Sequence, residues 1–363
     1  MLGPRQTGKS TLIRSLKPNL EINLAHERTF LDFTSDPEEL ERRIAATEPT
    51  TIFIDEVQRL PSILNTVQVL LDSSRKYRFF LTGSSARKLR RGRANLLPGR
   101  IHSFQLGPLV SAECRYALKT DQALETGTLP GIYTEADPAE REKTLRSYAA
   151  IYLKEEVQAE ALTRNLEGFA RFLRVAAAAA GQFLDLSKLA SEAQVNRHAA
   201  IRFFEILEDT LLVIRSEAFA KSARRRLIQH PRFFFFDNGV LNGVLGNFIC
   251  SADRRGALFE NFVLTQILHS AHAKDRELQI SSYRTEHGAE VDFIVEFPDG
   301  TCWAIEVKAG RSVHDSDLSG LSSFADFYKK KHVPLIIYGG AVRKRLGRVS
   351  VLPVQEALKE MGL

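Results

Sequence analysis

Two groups of residues in this chain have the types and spacing that chemistry requires, and the first lies near its start. Residues 3 to 10 read GPRQTGKS, a complete G-x-x-x-x-G-K-[ST] phosphate-binding loop. The backbone N–H groups of such a loop and the N-terminus of the next helix bind phosphates. Lys9 is then placed to reach the β- and γ-phosphates, and the Ser10 hydroxyl to bind Mg²⁺. The residues of this predicted site for ATP and Mg²⁺ are Gly3, Pro4, Arg5, Gln6, Thr7, Gly8, Lys9, Ser10 and Thr11.

A pair of acidic residues at the end of a predicted strand supports the nucleotide site. Residues 51 to 56 read TIFIDE, an apolar and β-branched run that ends in two carboxylates. This pattern predicts a buried parallel strand, of the Walker B type, whose C-terminal end faces the ligand. Asp55 is expected to bind Mg²⁺, and Glu56 to orient or deprotonate the attacking water. The alternative is a strand that runs into a solvated acidic turn.

Hydroxyl side chains follow the next predicted strand, which covers residues 77 to 81. An ATPase of the AAA type places a sensor of the γ-phosphate at this point, and either Thr82 or Ser84 could fill that role. We select Thr82 as the candidate. The alternative is that these hydroxyls only form a turn.

A basic run comes after this strand. Six lysines and arginines lie within fourteen residues, namely Arg87, Lys88, Arg90, Arg91, Arg93 and Arg100. Such a run can be a solvated face, an arginine finger for a neighbouring subunit, or a set of contacts to nucleic-acid phosphates. Arg100 is the candidate catalytic residue, because a Pro98-Gly99 turn fixes its position.

The second chemical group lies in the C-terminal third. Two strands are predicted at residues 290 to 295 and 302 to 308, joined by a Pro-Asp-Gly turn. Glu306 and Lys308 share a face of their strand because alternate residues point the same way. With Asp292 on the adjacent strand they form the D…E-x-K arrangement of restriction-endonuclease-like nucleases. In that chemistry Asp292 and Glu306 bind Mg²⁺, Lys308 acts on the attacking water, and Glu260 adds a carboxylate from the preceding helix. The alternative is a sheet with outward charges that cleaves nothing.

The middle of the chain reads as helices followed by a helix-turn-helix. Residues 138 to 180 have helical periodicity throughout. Two helices then flank a polar turn in which Asn196 is the expected N-cap. Strands at residues 211 to 216 and 232 to 236, with three arginines at 224 to 226 between them, complete a predicted winged helix. Such a module binds DNA or packs against protein, and both interpretations stay open.

Composition sets the class of protein. The chain of 363 residues is 44% hydrophobic and 26% charged, which is typical of a globular protein with two or three domains. No apolar run approaches the ~20 residues that span a bilayer, and no signal peptide is visible. Three scattered cysteines predict a cytoplasmic protein without disulfides or structural zinc. A net charge of +6 permits binding to nucleic acid without deciding it.

Together these motifs resemble the AAA-type ATPases that carry a C-terminal DUF4143 domain. The resemblance covers nearly the whole chain, and its motifs are GPRQTGKST, IFIDEVQRLP, LTGSSA, LLPGRI, FFFFDNGVLN, LFENFV, EVDFIV and AIEVKAG. It implies an ATP-binding core, a winged helix and a nuclease-like C-terminal domain. Relatives have a strand before the loop, whereas only Met1 and Leu2 precede it here, so we expect the sheet to lack its first strand.

The predicted fold is therefore α/β, in four parts. Residues 1–135 form a P-loop NTPase core with a parallel sheet, 136–180 a helical lid or linker, 181–237 the winged helix, and 238–363 a PD-(D/E)XK-like domain. The predicted function is a Mg²⁺-dependent ATPase coupled to nucleic acid or to a partner protein, which can include a second copy of the chain. The alternatives are a metal-dependent nuclease and a non-catalytic DNA-binding protein with a degenerate ATP site.

Overall fold

The chain folds into two compact units. The computed structural model describes residues 1–73, 76–84, 101–159, 165–219 and 230–363, with the backbone alone for 151–159. The first unit holds Met1–Gly107 with Asp209–Leu211, and the second holds Pro108–Glu208 with Leu212–Leu363. Each unit has its own sheet and its own hydrophobic core. No helix in the described part of the chain is long and apolar enough to cross a membrane.

The first unit is built on short parallel strands. Its elements are α1 (Lys9–Ser15), β1 (Leu20–Asn23), α2 (Glu27–Ser35), α3 (Glu39–Thr47), β2 (Thr51–Asp55), a 3₁₀ turn (Val57–Arg59), α4 (Ile63–Ser73) and β3 (Arg78–Leu81). The strands lie in the order β1-β2-β3. Ile52, Phe53 and Ile54 of β2 are all fully buried, so both faces of this strand are covered. The predicted buried parallel strand before Asp55 is therefore confirmed.

One residue before the phosphate loop takes part in the sheet of the first unit. Leu2 forms isolated parallel β-bridges with Gly83 on one side and with Gln105 on the other. Its N–H donates to the Phe104 carbonyl, and its carbonyl accepts from the Leu106 N–H, both at 2.8 Å. Within the described residues no strand precedes α1, and Leu2 lies where such a strand would run beside β3.

The second unit contains most of the helices and the larger sheet. Its helices are α5 (Thr120–Thr126), α6 (Pro130–Tyr133), α7 (Pro138–Ala159), α8 (Leu166–Ala178), α9 (Leu186–Glu192), α10 (Arg197–Asp209, whose last residue is assigned to the first unit), α11 (Asn238–Leu245), α12 (Ala252–Ala273), α13 (Ser319–Tyr328) and α14 (Val354–Glu360), with a 3₁₀ turn at Asp315–Leu318. Its strands are β4 (Val213–Ala218), β5 (Arg232–Phe235), β6 (Gln279–Arg284), β7 (Glu290–Glu296), β8 (Cys302–Lys308), β9 (Val333–Tyr338), β10 (Lys344–Leu346) and β11 (Val349–Pro353).

These eight strands form one mixed sheet in the order β10-β11-β9-β8-β7-β6-β4-β5. The antiparallel hairpin β4-β5 joins the rest through parallel pairing of β4 with β6, in which Glu217 lies opposite Ser281. Strand β7 is antiparallel to both of its neighbours, β6 and β8, and β8 is parallel to β9. The sheet therefore runs without a break from the hairpin after α10 to the C-terminal strands.

A buried asparagine ties the outer strand β5 to helix α12. The Asn261 side chain accepts a hydrogen bond from the Phe235 N–H at 2.8 Å. Its amide group donates to the Phe235 carbonyl at 3.0 Å and to the Asn238 side chain at 2.7 Å. Phe183 forms a single bridge with the outer edge of β5 at Arg232, and at Phe235 this amide takes the place of a strand partner.

A buried aspartate organises the turn that follows β5. Asp237 caps α11 by accepting from the Val240 N–H at 3.0 Å, and it also accepts from the Thr128 N–H at 2.7 Å. A Cβ atom at Gly127 would lie 2.1 Å from the Asp237 carboxylate, so only glycine fits there. The sequence FFFFDNGVLN thus encodes a buried junction between β5, α11 and the loop before α6.

Two boundaries differ from the sequence prediction for physical reasons. A continuous helical pattern was expected over 138–180, but Asn165 caps a new helix by accepting from the Gly168 N–H at 2.8 Å. The strand expected from residue 211 begins at Val213 instead. Leu211 has a left-handed backbone with φ 60°, which strand residues do not adopt.

Candidate nucleotide site and candidate carboxylate site

The phosphate loop is shaped by two glycines that act in different ways. Gly8 has φ 90°, a left-handed conformation that favours glycine, and α1 begins directly after it. A Cβ atom at Gly3 would lie 2.1 Å from the Leu106 carbonyl oxygen, so Gly3 permits close backbone packing. Gly3, Pro4, Thr7 and Lys9 are buried, Arg5, Gly8 and Ser10 are half-buried, and Gln6 and Thr11 are exposed.

The Lys9 ammonium group lies against the backbone of its own loop. Its Nζ donates to the Gly3 carbonyl at 2.9 Å and to the Pro4 carbonyl at 2.6 Å. The Thr7 hydroxyl donates to the same Pro4 carbonyl at 2.9 Å. Since charged acceptors form stronger hydrogen bonds than carbonyls, a phosphate would be a better partner for this buried ammonium.

Three elements of the first unit meet at the Asp55 carboxylate. The Ser10 hydroxyl at the start of α1 donates to Asp55 Oδ1 at 2.9 Å, and the Thr82 hydroxyl after β3 donates to the same oxygen. Arg14 lies 3.8 Å from the other oxygen. A hydroxyl beside a buried carboxylate is a donor set that suits Mg²⁺, which takes one or two protein oxygens plus phosphates and water. The residues that were predicted to hold Mg²⁺ and to sense the phosphate therefore lie together.

Glu56 is linked to the other candidate sensor through a residue that the sequence did not reveal. Its backbone is left-handed, with φ 58° and ψ 43°, at the start of the 3₁₀ turn. The Gln58 side chain donates to the Glu56 carboxylate and also to the Ser84 hydroxyl at 3.1 Å. Gln58 and Ser84 are both buried. Thr82 thus contacts Asp55, the expected Mg²⁺ ligand, whereas Ser84 contacts Gln58, which in turn holds the Glu56 carboxylate.

In the second unit, the predicted carboxylate and lysine residues also lie together. We use the name carboxylate site for Glu260, Asp292, Glu306 and Lys308. Lys308 Nζ lies 2.8 Å from Glu306 Oε1, as the shared strand face predicted. On the adjacent strand, Asp292 Oδ2 accepts from the Val307 N–H at 2.8 Å.

An arginine that the sequence reasoning missed lies in this site. Arg232 at the start of β5 is 2.5 Å from Glu260 Oε1 and 3.7 Å from Asp292 Oδ1. Its Nε donates to the Gly181 carbonyl at 2.8 Å, and its guanidinium lies over the Phe234 ring. The strand pairing that brings Arg232 to Asp292 is not visible in the local sequence.

Burial and like charges perturb the carboxylates of this site. Burial raises the pKa of Glu260 well above its usual range, and the neighbouring Asp292 charge adds to this effect while Arg232 opposes it. Burial likewise raises the pKa of Glu306, again with Asp292 adding and Lys308 opposing. Burial lowers the pKa of Lys308, but the hydrogen bond to Glu306 and the negative charges of Glu306, Asp292 and Asp317 together outweigh burial, so this pKa is raised.

The carboxylates of this site could supply oxygen ligands to a metal ion, but in the structure they form ion pairs with Arg232 and Lys308. In the part of the chain that the structure describes, no three His, Cys, Asp or Glu side chains come together so that they could hold a metal ion. Glu306 Oε2 is nevertheless buried and has no hydrogen-bond partner among the described residues. Such an atom, beside a second carboxylate, is of the type that binds Mg²⁺. The metal role of Glu260, Asp292 and Glu306 stays a prediction.

A cavity of about 450 Å³ opens beside this site within the second unit. Its lining carries both signs of charge, from Lys188, Arg232, Glu260, Arg284, Glu290 and Asp292. Arg284 lies 3.7 Å from Glu290 and over the Phe183 ring.

Asn196 lies at the N-terminus of α10, where the sequence predicted a helix cap. Asn196 accepts from the Ala199 N–H at 2.8 Å and so caps α10. Arg197, His198 and Arg202 are exposed on this helix. Arg100, the rest of the basic run at 87–93 and the arginines at 224–226 lie outside the described residues.

Comparison with protein families identifies the two ends of the chain. Residues 1–114 match an AAA domain, and residues 255–357 match DUF4143, a domain of unknown function. The chain carries an AAA domain and a DUF4143 domain. Residues 118–248 match another domain of unknown function, DUF8612, which includes the FFFFDNGVLN stretch. All four members of the carboxylate site lie within the DUF4143 match, while Arg232 lies within the DUF8612 match.

Two curated relatives are similar to most of the chain. Uncharacterized proteins of Mycobacterium tuberculosis and of Mycobacterium bovis are each 27% identical to it over 316 residues. The match covers 85% of this chain and 69% of each relative. A match of this length includes parts of both the AAA domain and the DUF4143 domain.

Proposed function

We propose that the AAA domain binds ATP with Mg²⁺ and hydrolyses it. The observation that carries this proposal is the meeting of Ser10, Thr82 and the buried Asp55 carboxylate at the base of a complete phosphate loop. When bound, Mg²⁺ would be held by Ser10 and Asp55 and would supply positive charge to the phosphates.

The residues around the loop have separable roles in this proposal. Lys9 exchanges the carbonyls of Gly3 and Pro4 for phosphate oxygens, which stabilises bound ATP. Glu56 orients the attacking water and accepts its proton. Gln58 holds the Glu56 carboxylate in position, because it is anchored in turn to Ser84.

Two substitutions separate binding from hydrolysis. Lys9→Ala should abolish binding of a fluorescent ATP analogue, and the Lys76→Ala variant of the same unit serves as the matched control. Glu56→Gln should keep the binding and lower phosphate release by ~10²- to 10⁴-fold, since a general base is lost. Unchanged phosphate release in the Lys9→Ala variant would refute the assignment of the site.

We further propose that the second unit couples this activity to DNA. In this proposal 1–135 is the P-loop core, 136–180 the helical lid, 181–237 a winged helix and 238–363 a PD-(D/E)XK-like domain. The capped helix α10 with its exposed Arg197 and His198, followed by the hairpin β4-β5, supports the winged helix. Cys114, Cys250 and Cys302 form no disulfide with one another, which supports a cytoplasmic location.

Mobility-shift titrations with duplex DNA test this coupling. The Arg197→Ala/His198→Ala double variant should bind DNA more weakly, and ATP should change the affinity of the wild-type protein. Equal DNA affinities in the wild-type protein and the double variant would exclude Arg197 and His198 of α10 as DNA contacts. DNA binding without any ATP binding would instead favour a DNA-binding protein with a degenerate ATP site.

For Arg100, loss of ATP hydrolysis in Arg100→Ala, restored by mixing with Glu56→Gln protein, would indicate an arginine finger shared between copies.

A metal-dependent nuclease is the second candidate function. It is favoured by the contact between Lys308 and Glu306, by the adjacent Asp292, and by the Glu306 oxygen that has no hydrogen-bond partner among the described residues. Supercoiled plasmid incubated with Mn²⁺ should be nicked by the wild-type protein and not by Asp292→Ala or Lys308→Ala. Asp299→Ala, in the exposed turn between β7 and β8, is the matched control. Equal nicking by all four proteins would exclude the site.

A further inference from the structure

Arg232 is the least expected residue in contact with the carboxylate site, and its side chain is only 11% exposed. It reaches the site from β5, whereas its partners come from α12 and β7. The Nε atom is fixed on the Gly181 carbonyl at 2.8 Å, and the guanidinium lies over the Phe234 ring at 5.0 Å. A long, flexible side chain held by these contacts has one defined place in the site.

The guanidinium occupies the oxygen atoms that a metal would need. Asp292 has two oxygens, of which Oδ2 accepts from the Val307 N–H and Oδ1 faces Arg232 at 3.7 Å. Glu260 Oε1 lies 2.5 Å from the same arginine. A divalent cation bound to these two carboxylates would therefore lie within van der Waals distance of the positively charged Arg232 guanidinium. Like charges at such distances repel strongly in a site of low exposure.

We propose that Arg232 and a divalent cation are alternative occupants of the carboxylate site, so that Arg232 sets whether this site holds a metal. The proposal rests on the carboxylate site of the second candidate function, and it is independent of ATP hydrolysis. The cavity of about 450 Å³ that Arg232 helps to line gives the guanidinium room to leave Glu260 and Asp292 when a cation enters.

A purely structural role for Arg232 makes a different prediction. If the arginine only ties β5 to α12 and β7, its removal destabilises the second unit and creates no affinity for metal. If it excludes the cation, its removal leaves Glu260 and Asp292 with uncompensated charge that a cation can satisfy. The two roles are therefore separated by metal binding and not by stability.

Manganese binding to the nucleotide-free protein is the test. Electron paramagnetic resonance measures free Mn²⁺ in titrations of wild type, Arg232→Gln and Arg284→Gln. Arg284 lines the same cavity and pairs with Glu290, so Arg284→Gln is the matched control. We expect Arg232→Gln to bind one additional Mn²⁺ at least ~10-fold more tightly than the other two proteins, a change of about 1.4 kcal/mol. Adding Asp292→Asn to Arg232→Gln should remove this gain.

Equal Mn²⁺ affinity in all three proteins would overturn the proposal, provided that circular dichroism shows a folded Arg232→Gln. If that variant is unfolded, Arg232→Met decides the question, because its unbranched side chain can still pack over Phe234 but carries no positive charge. It should bind Mn²⁺ more tightly than wild type, and equal affinity overturns the proposal. Tight binding without plasmid nicking would refute the nuclease function and leave the exclusion of metal by Arg232 intact.

Discussion

Removal of the Asn261 side chain should destabilise the second unit severely. This asparagine is 1% exposed and makes hydrogen bonds to the Phe235 N–H, the Phe235 carbonyl and the Asn238 side chain. Asn261→Ala leaves all three groups without their partner. On that side of β5, residues 181–184 pair with the strand only as far as Phe233, so within the described residues no strand lies beside Phe235 to supply replacements.

The size of the effect follows from these three groups. A buried polar group that loses its hydrogen-bond partner costs ~1–3 kcal/mol, and local relaxation recovers a part of that cost. We therefore expect the free energy of unfolding of the second unit to fall by roughly 3–5 kcal/mol. Such a loss is a large fraction of the stability of an ordinary domain.

Urea unfolding followed by tryptophan fluorescence measures this change. The chain has a single tryptophan, Trp303 in β8, which is buried in the core of the second unit and so reports on that unit alone. Asn247→Ala is the matched control, because Asn247 is exposed and its side chain makes one hydrogen bond within a turn. The control should lose less than about 1 kcal/mol.

A loss below about 1.5 kcal/mol for Asn261→Ala would refute the reasoning. It would mean that water or a backbone shift replaces the amide beside Phe235. A change in the slope of the unfolding transition would also count against a simple loss of hydrogen bonds, since the slope reports the surface exposed on unfolding.

Three other predictions concern single side chains. Burial lowers the pKa of His269 to about 4, so only the unfolded chain takes up its proton as the pH falls from 6.5 towards 4, and stability is lost in that window. Between pH 7 and pH 5 the free energy of unfolding should therefore fall by about 2 kcal/mol more in wild type than in His269→Gln. Urea midpoints that change equally with pH in the two proteins would contradict this prediction. Asn196→Ala removes the cap of α10 and should cost ~1 kcal/mol in the same assay, whereas an unchanged midpoint would rule out the cap. Gln58→Ala should lower the rate of ATP hydrolysis by ~10-fold with unchanged ATP affinity, because Glu56 loses its positioning contact; weakened affinity at an equal rate would argue against this role.

Local pattern was enough to predict the elements that carry the sites. Alternation placed Glu306 and Lys308 on one face of a strand, and the observed strand β8 has the predicted bounds. A β-branched run predicted that Asp55 ends a buried strand, which the structure confirms. These predictions succeed because the pattern of polar and apolar residues within a short stretch of sequence indicates both the periodicity and the burial of a strand.

The side chains that complete the two sites could not be predicted in the same way. Arg232 meets Glu260 and Asp292 only because β5, α12 and β7 come together in the folded second unit. Gln58 contacts Glu56 where the backbone of Glu56 is left-handed, and this unusual conformation cannot be predicted from a glutamate in the sequence. In both cases the missing information is tertiary geometry.

The continuous sheet of the second unit limits how this chain can be divided. The DUF8612 match ends at 248 and the DUF4143 match begins at 255, yet β4 pairs with β6 across that gap. A fragment that starts at the DUF4143 boundary would therefore expose the edge of β6, with Ser281 and Ser282 unpaired, to other strands. Open edges of this kind lead to aggregation. Fragments meant to isolate the C-terminal chemistry should accordingly retain the hairpin β4-β5, and with it Arg232.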